Sequence, residues 1–320
     1  MKKKISKWLS ILLPLLLGVF LIVYSYQKYT PEQIEEIKGF FKNANYNYIY
    51  TSLAIGFCSH YSRAYRWKYT LEHLGYHSKI YNNFMAVWIA YLMNMTIPRS
   101  GEFFRALVLK KYENIPIDKG FGTIVSERIV DFIFLVLFIL TALILQFNTL
   151  KNFLLEKIPI QKLSILLGLA VVGCIAFVAI FTYSKAKFIL AIKEKISGLI
   201  EGLLSVFKMR KKWPFILHTL FIWSTYIAMF YVSIFALPET SEISFGVVIT
   251  AFVVGSLAIA FTNGGFGAYP FLIAEILLLY NIPETAGTAF GWIVWTSQIA
   301  MVIIFGGLSF LLLPLLNPSK

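Results

Sequence analysis

The sequence predicts an all-α polytopic membrane protein, a helical bundle of about six full spans plus two broken re-entrant helical hairpins, and three observations carry that prediction. Hydrophobic residues fill 58% of the 320 positions and charged residues only 14%, with a mean hydropathy of +0.72, whereas ordinary soluble domains carry roughly 25% charged residues. Apolar runs of helical length are flanked by short basic clusters, the mark of cytoplasmic span ends. Two of the runs are interrupted by proline and glycine, at Pro98 to Gly101 and at Thr262 to Gly267, where a lipid-exposed helix would leave backbone groups unpaired. Residues 1–320 read as a single domain. The net charge of +13 lies beside the spans, which points to anionic head groups and away from nucleic acid.

The elements follow in order. Lys2, Lys3, Lys4 and Lys7 precede an apolar run from Trp8 to Tyr24, and no small-residue cleavage site follows. This reads as an uncleaved span with a cytoplasmic N-terminus. Pro31 and Glu32 then open an amphipathic helix in a charge-balanced outer linker. Tyr48 to Tyr65 crosses back and emerges at Arg63, Arg66 and Lys68; His60, Arg63 and Trp67 share a face there and read as an interfacial anchor with snorkelling arginines. Contact with a lipid phosphate is the alternative.

Residues 83–111 form the first hairpin. A full crossing would put Arg99, Arg105, Lys110, Lys111 and Lys119 outside, against the positive-inside pattern, so a hairpin entering from the cytoplasm is expected. Ile124 to Phe147 is the next span, 148–162 an outer loop, and Leu163 to Tyr183 a return. Residues 184–212 carry Lys185, Lys187, Lys193, Lys195, Lys208, Arg210, Lys211 and Lys212 with apolar residues at helical spacing, which suits an amphipathic helix on the inner leaflet. Trp213 to Phe235 crosses outward, 245–280 form the second hairpin with Pro270 in its returning half, and Thr288 to Leu316 is the last span, ending inside.

The chemistry concentrates at the breaks. Arg99, Glu102, Arg105, Glu127, Arg128 and Asp131 supply three charges of each sign, and such groups are costly near a bilayer unless they pair or line a wet cavity. They read either as a closed ion-pair knot or as a phosphate site, since guanidinium matches phosphate oxygens in a fork. Asn263, Gly264, Gly265 and Gly267 free backbone amides at a helix N-terminus, either for an anion or for close packing. Cys58 and Cys174 read as small packing residues. His60, His73, His77 and His218 form no metal-ligand cluster, no catalytic triad is present, and no nucleotide loop with a lysine appears. No cofactor or metal is expected.

The pattern Asn94, Pro98, Arg99, Gly101, Glu102, Arg105, followed by Glu127, Arg128, Asp131 and the late Asn-Gly-Gly-x-Gly turn, resembles the lysylphosphatidylglycerol synthase transmembrane-region family over nearly the whole chain. The resemblance implies a flippase-like bundle with broken helices, located in the bacterial cytoplasmic membrane, that translocates or binds a phospholipid or lipid-linked head group. These residues would contact the substrate. The family often has Pro and Glu where this chain has Asn263 and Pro270, and Glu275 lies five residues beyond. The 320 residues hold no soluble aminoacyl-transfer domain like that of bifunctional relatives, so a transporter rather than an enzyme is expected. A non-transporting scaffold subunit for a lipid-modifying or glycan-assembling enzyme is the alternative. Expected partners are membrane phospholipids and anionic inner-leaflet lipids, with a lipid-modifying enzyme and a homo-oligomer left open.

Overall fold

The computed structural model describes residues 2–97, 99–149 and 206–318, with scattered positions between 151 and 193. The described residues are helical and contain no strand: α1 Lys2–Lys28, α2 Pro31–Asn43, α3 Tyr46–His73, α4 Ile80–Thr96, α5 Gly101–Glu113 and α6 Ile117–Leu145 come first. After them come α7 Lys212–Ser233, α8 Phe245–Phe261, α9 Ala268–Leu278 and α10 Glu284–Leu316. The expected basic helix at 184–212 and the span at 163–183 lie largely outside the described residues, as do Pro98 and Lys320.

Among the described residues, Ile117–Leu145, Lys212–Ala236 and Glu284–Leu316 are long and apolar enough to cross a membrane. A fourth span is counted if α1 and α2, bent by 114° at their junction, form one. The protein is thus an α-helical membrane bundle. Helix α3 has the length for a crossing, 28 residues, but its polar and charged residues set it apart from the apolar spans. The bend before α2 has a local cause. Thr30 caps the helix, accepting from the Gln33 amide while the Gln33 side chain accepts from the Thr30 amide, and Pro31 occupies the first turn, where its missing N–H costs nothing.

Both predicted breaks are real, and each pair of helices folds back on itself as a hairpin, α4 on α5 and α8 on α9. In the first, a Cβ on Gly101 would collide with the Ala90 carbonyl and the Asn94 amide, so only glycine lets the two backbones touch. The ends of the break are tied down by side chains. Asn94 Oδ1 accepts the Gly101 amide at 2.8 Å, and Ser100 Oγ donates to the carbonyls of Met93 and Ile97. The second hairpin turns on Gly264, Gly265 and Gly267, all with positive φ.

Two helices hold the hairpins in register. Helix α10 packs through Gly287 on Ala274 and through Gly291 on Pro270 in α9, then through Gly306 on Trp88 and Leu92 in α4, so one long helix bridges both. Helix α6 packs against α3, α5 and α8. The tips meet: Asn263 Nδ2 donates to the Met95 carbonyl at 3.2 Å, joining the second turn to the end of α4.

Candidate functional site

Around the first hairpin, apolar side chains of α3 to α6, among them Trp67, Leu71, Ile89, Ala106, Leu109 and Ile124, form one core cluster. Beside it lies a chain of charges, buried at Arg63, Arg66, Arg105, Glu127 and Asp131 and half-buried at Glu102 and Arg128. From α6, Asp131 accepts from Arg66 through both oxygens, at 2.8 and 3.1 Å, and from Arg63 at 2.8 Å. Glu127, with no exposed surface, sits 3.0 Å from Arg105 Nη2 and 3.9 Å from Arg66. Glu102 lies 3.2 Å from Arg128 Nε, and Arg128 lies 3.6 Å from Asp131. The helical spacing explains the assembly: residues three and four apart share a face, so Glu127 and Asp131 on α6 meet Arg63 and Arg66 on α3 and Arg105 on α5.

Neutral groups complete the arrangement. Arg63 donates to the Tyr226 hydroxyl at 3.0 Å and Arg66 to Thr219 at 3.0 Å, both on α7. The Arg105 guanidinium lies 3.8 Å over the Trp67 ring, a cation–π contact strengthened by exclusion of solvent. Trp67 is itself fixed by donating Nε1–H to Thr123 at 2.9 Å.

The donors are not used up. Arg105 Nε, Nη1 and Nη2 and the Nε atoms of Arg63, Arg66 and Arg128 are buried without a hydrogen bond of proper geometry among the described residues, so the contacts of Arg105 to Glu127 and of Arg128 Nε to Glu102 are ion pairs only. Arg63, Arg105 and Arg128 converge with Asn94, Tyr91, Val87 and Ala90 on a void of about 10 Å3, the size of one water molecule. Such a site offers forked N–H donors to a tetrahedral oxyanion.

The placement differs from expectation at Arg99 and at Arg63 and Arg66, and it favours one of the two readings of the glycine turn. Arg99 does not join the knot: it is exposed, in left-handed geometry at φ 61° within the break, and forms no ion pair among the described residues. Its place is taken by Arg63 and Arg66, at 2% and 0% exposure. These were expected to snorkel, yet α3 packs along α6 and α7 and turns them inward. The sequence shows the two arginines one turn apart on α3 but not what covers them, and it carries no signal for Tyr226 and Thr219.

The glycine turn, finally, packs rather than opens. A Cβ on Gly267 would strike the Gly18 carbonyl of α1, and one on Gly18 would strike Phe266. The Gly264 carbonyl accepts from Trp295 at 2.8 Å. Gly267 borders a separate, mostly apolar groove of about 290 Å3 between α1, α2, α9 and α10. Pro270 is buried against Gly291, and Glu275 pairs with Lys28 at 3.5 Å. Neither faces the arginine void.

Broken helices, a buried charge cluster and long apolar spans define an integral membrane protein with a buried polar site. The family model of the lysylphosphatidylglycerol synthase transmembrane region matches residues 11–306, and the chain belongs to that family. It is similar to a UPF0104 membrane protein of Methanocaldococcus jannaschii, 38% identical over 81 residues. That match covers 23% of this chain and 24% of the relative's length, so the chain spans about a quarter of the curated relative it matches. No solved structure matches it.

Proposed function

We propose that this protein binds the phosphate of a membrane lipid head group at the Arg63, Arg105 and Arg128 void and carries it between leaflets. It acts as a flippase-like transporter and not as an enzyme, in a cytoplasmic membrane with both termini inside. The first hairpin enters from the cytoplasm and the second from outside, an arrangement by which broken helices place a site near the midplane. The carrying observation is the set of buried guanidinium donors without hydrogen-bond partners around one void. An unmatched buried donor costs about 1–3 kcal/mol, and a ligand oxygen at the void would satisfy donors that the ion pairs to Glu127 and Glu102 leave poorly aligned. Family membership supports the reading, as the family is described by a synthase of an aminoacylated phospholipid.

The test is reconstitution of the full chain into vesicles with a fluorescent phospholipid. Arg105→Ala is expected to abolish head-group movement while the protein still elutes as a single species with a cooperative melt. Undiminished movement by the folded variant removes the proposal.

A further inference from the structure

We infer that the site takes up a proton together with its anion and that His60 receives it, which makes the proton the coupling ion of the movement; this rests on the head-group reading above. His60 lies on α3 one turn before Arg63 and is 7% exposed. Its ring packs against Trp88 at 4.4 Å and against Tyr91 at 4.7 Å between centroids, both on α4. Tyr91 borders the void beside Arg63, Arg105 and Arg128. A line of contacts then runs back into the cluster. The Tyr91 and Tyr226 hydroxyls are 3.4 Å apart, and Tyr226 accepts at 3.0 Å from Arg63, which donates to Asp131 at 2.8 Å. A guanidinium only donates, so the hydrogen of the Tyr226 hydroxyl is left for Tyr91.

Two histidines of the packed helices differ in what fixes them. His218 on α7 has its Nδ1 2.8 Å from Ser62 Oγ and its ring stacked on Tyr65. His60 Nδ1 is buried without a hydrogen bond among the described residues, so no partner there sets the tautomer or the charge of the ring. The charged and titratable groups around His60 are few: Arg63 on α3 itself, Tyr91 on α4 and, behind Tyr91, Tyr226 on α7. Helix α10, which packs on α3 and α4, has none between Thr285 and Leu316. A proton on the imidazole therefore sets a positive charge one turn from Arg63. With the void empty the two like charges repel, and an anion held by Arg63, Arg105 and Arg128 attracts both. Anion and proton favour each other's binding, each raising the affinity for the other by the same factor. The proton comes from water and joins the lone pair of a ring nitrogen, with no other bond made or broken. Among the carboxylates, Asp131 accepts from two arginines and Glu127 sits on Arg105, which leaves Glu102, with 24% of its side chain exposed, as the competing acceptor.

The full chain in maltoside micelles, mixed with a fluorescent phosphatidylglycerol in weakly buffered solution with a pH indicator, reports binding and proton uptake together. The range is about pH 5 to 8, where histidine chemistry falls and the phosphodiester does not titrate. The wild type is expected to take up about one proton per lipid bound, and its affinity to rise as pH falls, by up to about tenfold per pH unit. His60→Gln is expected to bind without uptake and with an affinity that pH leaves unchanged. His218→Gln is expected to match the wild type, and Glu102→Gln to keep the uptake at its own affinity. In vesicles, a pH gradient is expected to drive the labelled lipid toward one leaflet in the wild type and to leave it evenly distributed with His60→Gln; an even distribution in the wild type removes the coupling to movement. Binding by the wild type without proton uptake overturns the inference and leaves the site standing, a result that needs no variant. Uptake that survives in His60→Gln, or is lost in Glu102→Gln, gives the proton to another group and overturns it too. If the wild type binds no lipid at any pH, or Arg105→Ala binds as the wild type does, the head-group site fails and the coupling falls with it.

Discussion

The two hairpins share an architecture and differ in what holds them together. Each is two short helices joined by a tight break, each packs on α10, and their tips touch through Asn263 and the Met95 carbonyl. The first is fastened by charge, with Arg105 on Glu127 and Arg128 on Glu102 tying α5 to α6. The second carries no charge at its turn and is fastened by contact between backbones, Gly267 on Gly18 and Pro270 on Gly291. Close packing of small residues is the ordinary glue of membrane helices. Buried charge is weak glue, because desolvation offsets the attraction. On the proposed reading the first hairpin gives up stability to hold charge for a ligand, whereas the turn of the second is held by packing.

Removing Asp131 breaks that contrast most severely. Asp131→Ala strands Arg63 and Arg66 in the interior, and a loss of about 3–5 kcal/mol is expected, visible as a large fall in melting temperature in detergent. A melt close to that of the wild type means that Arg63 and Arg66 find other partners or solvent and that the pairing of α3 with α6 adds little stability.

On the other side, Gly267→Ala adds a methyl group against the Gly18 carbonyl at φ 68°, and about 2–4 kcal/mol is expected from strain and overpacking together. Its neighbour sharpens the point. Gly264 has φ 65° but nothing within 4 Å of a built Cβ, so Gly264→Ala carries only the left-handed penalty of about 1–2 kcal/mol. Equal melts for the two variants would show that conformation, not contact, governs the turn.

The smallest effects belong to the periphery. Lys28 reaches Glu284 at 2.7 Å with 39% of its side chain exposed, and Glu284→Gln is expected to cost about 0.5 kcal/mol in a chemical denaturation series. Arg99→Ala, exposed at the first break, is expected to shift stability by less than about 0.5 kcal/mol and to leave the charge cluster intact. A larger loss of lipid binding for Arg99→Ala than for Arg105→Ala would put the recognition site at the turn instead of in the core.

The helix breaks were legible because their causes are local. Gly101 and the Gly264 to Gly267 turn write their geometry into the chain, and Pro31 with Glu32 announces the start of α2. The acidic members of the cluster were legible too, since Glu127 and Asp131 interrupt an apolar run. Arg63 and Arg66 were misread because a basic residue at the end of a span snorkels or turns inward according to what packs beside it. No spacing within α3 reveals that α6 and α7 cover that face.

What the sequence determined by itself is the class: an apolar composition with helix-length runs leaves a helical membrane bundle as the available solution, and proline and glycine set where two of its helices break. Only the tertiary structure decided which charges meet. Pairing across α3, α5 and α6 depends on distances between segments up to 68 residues apart. Such partners are chosen by the packing of whole helices and not by any preference that neighbouring residues carry.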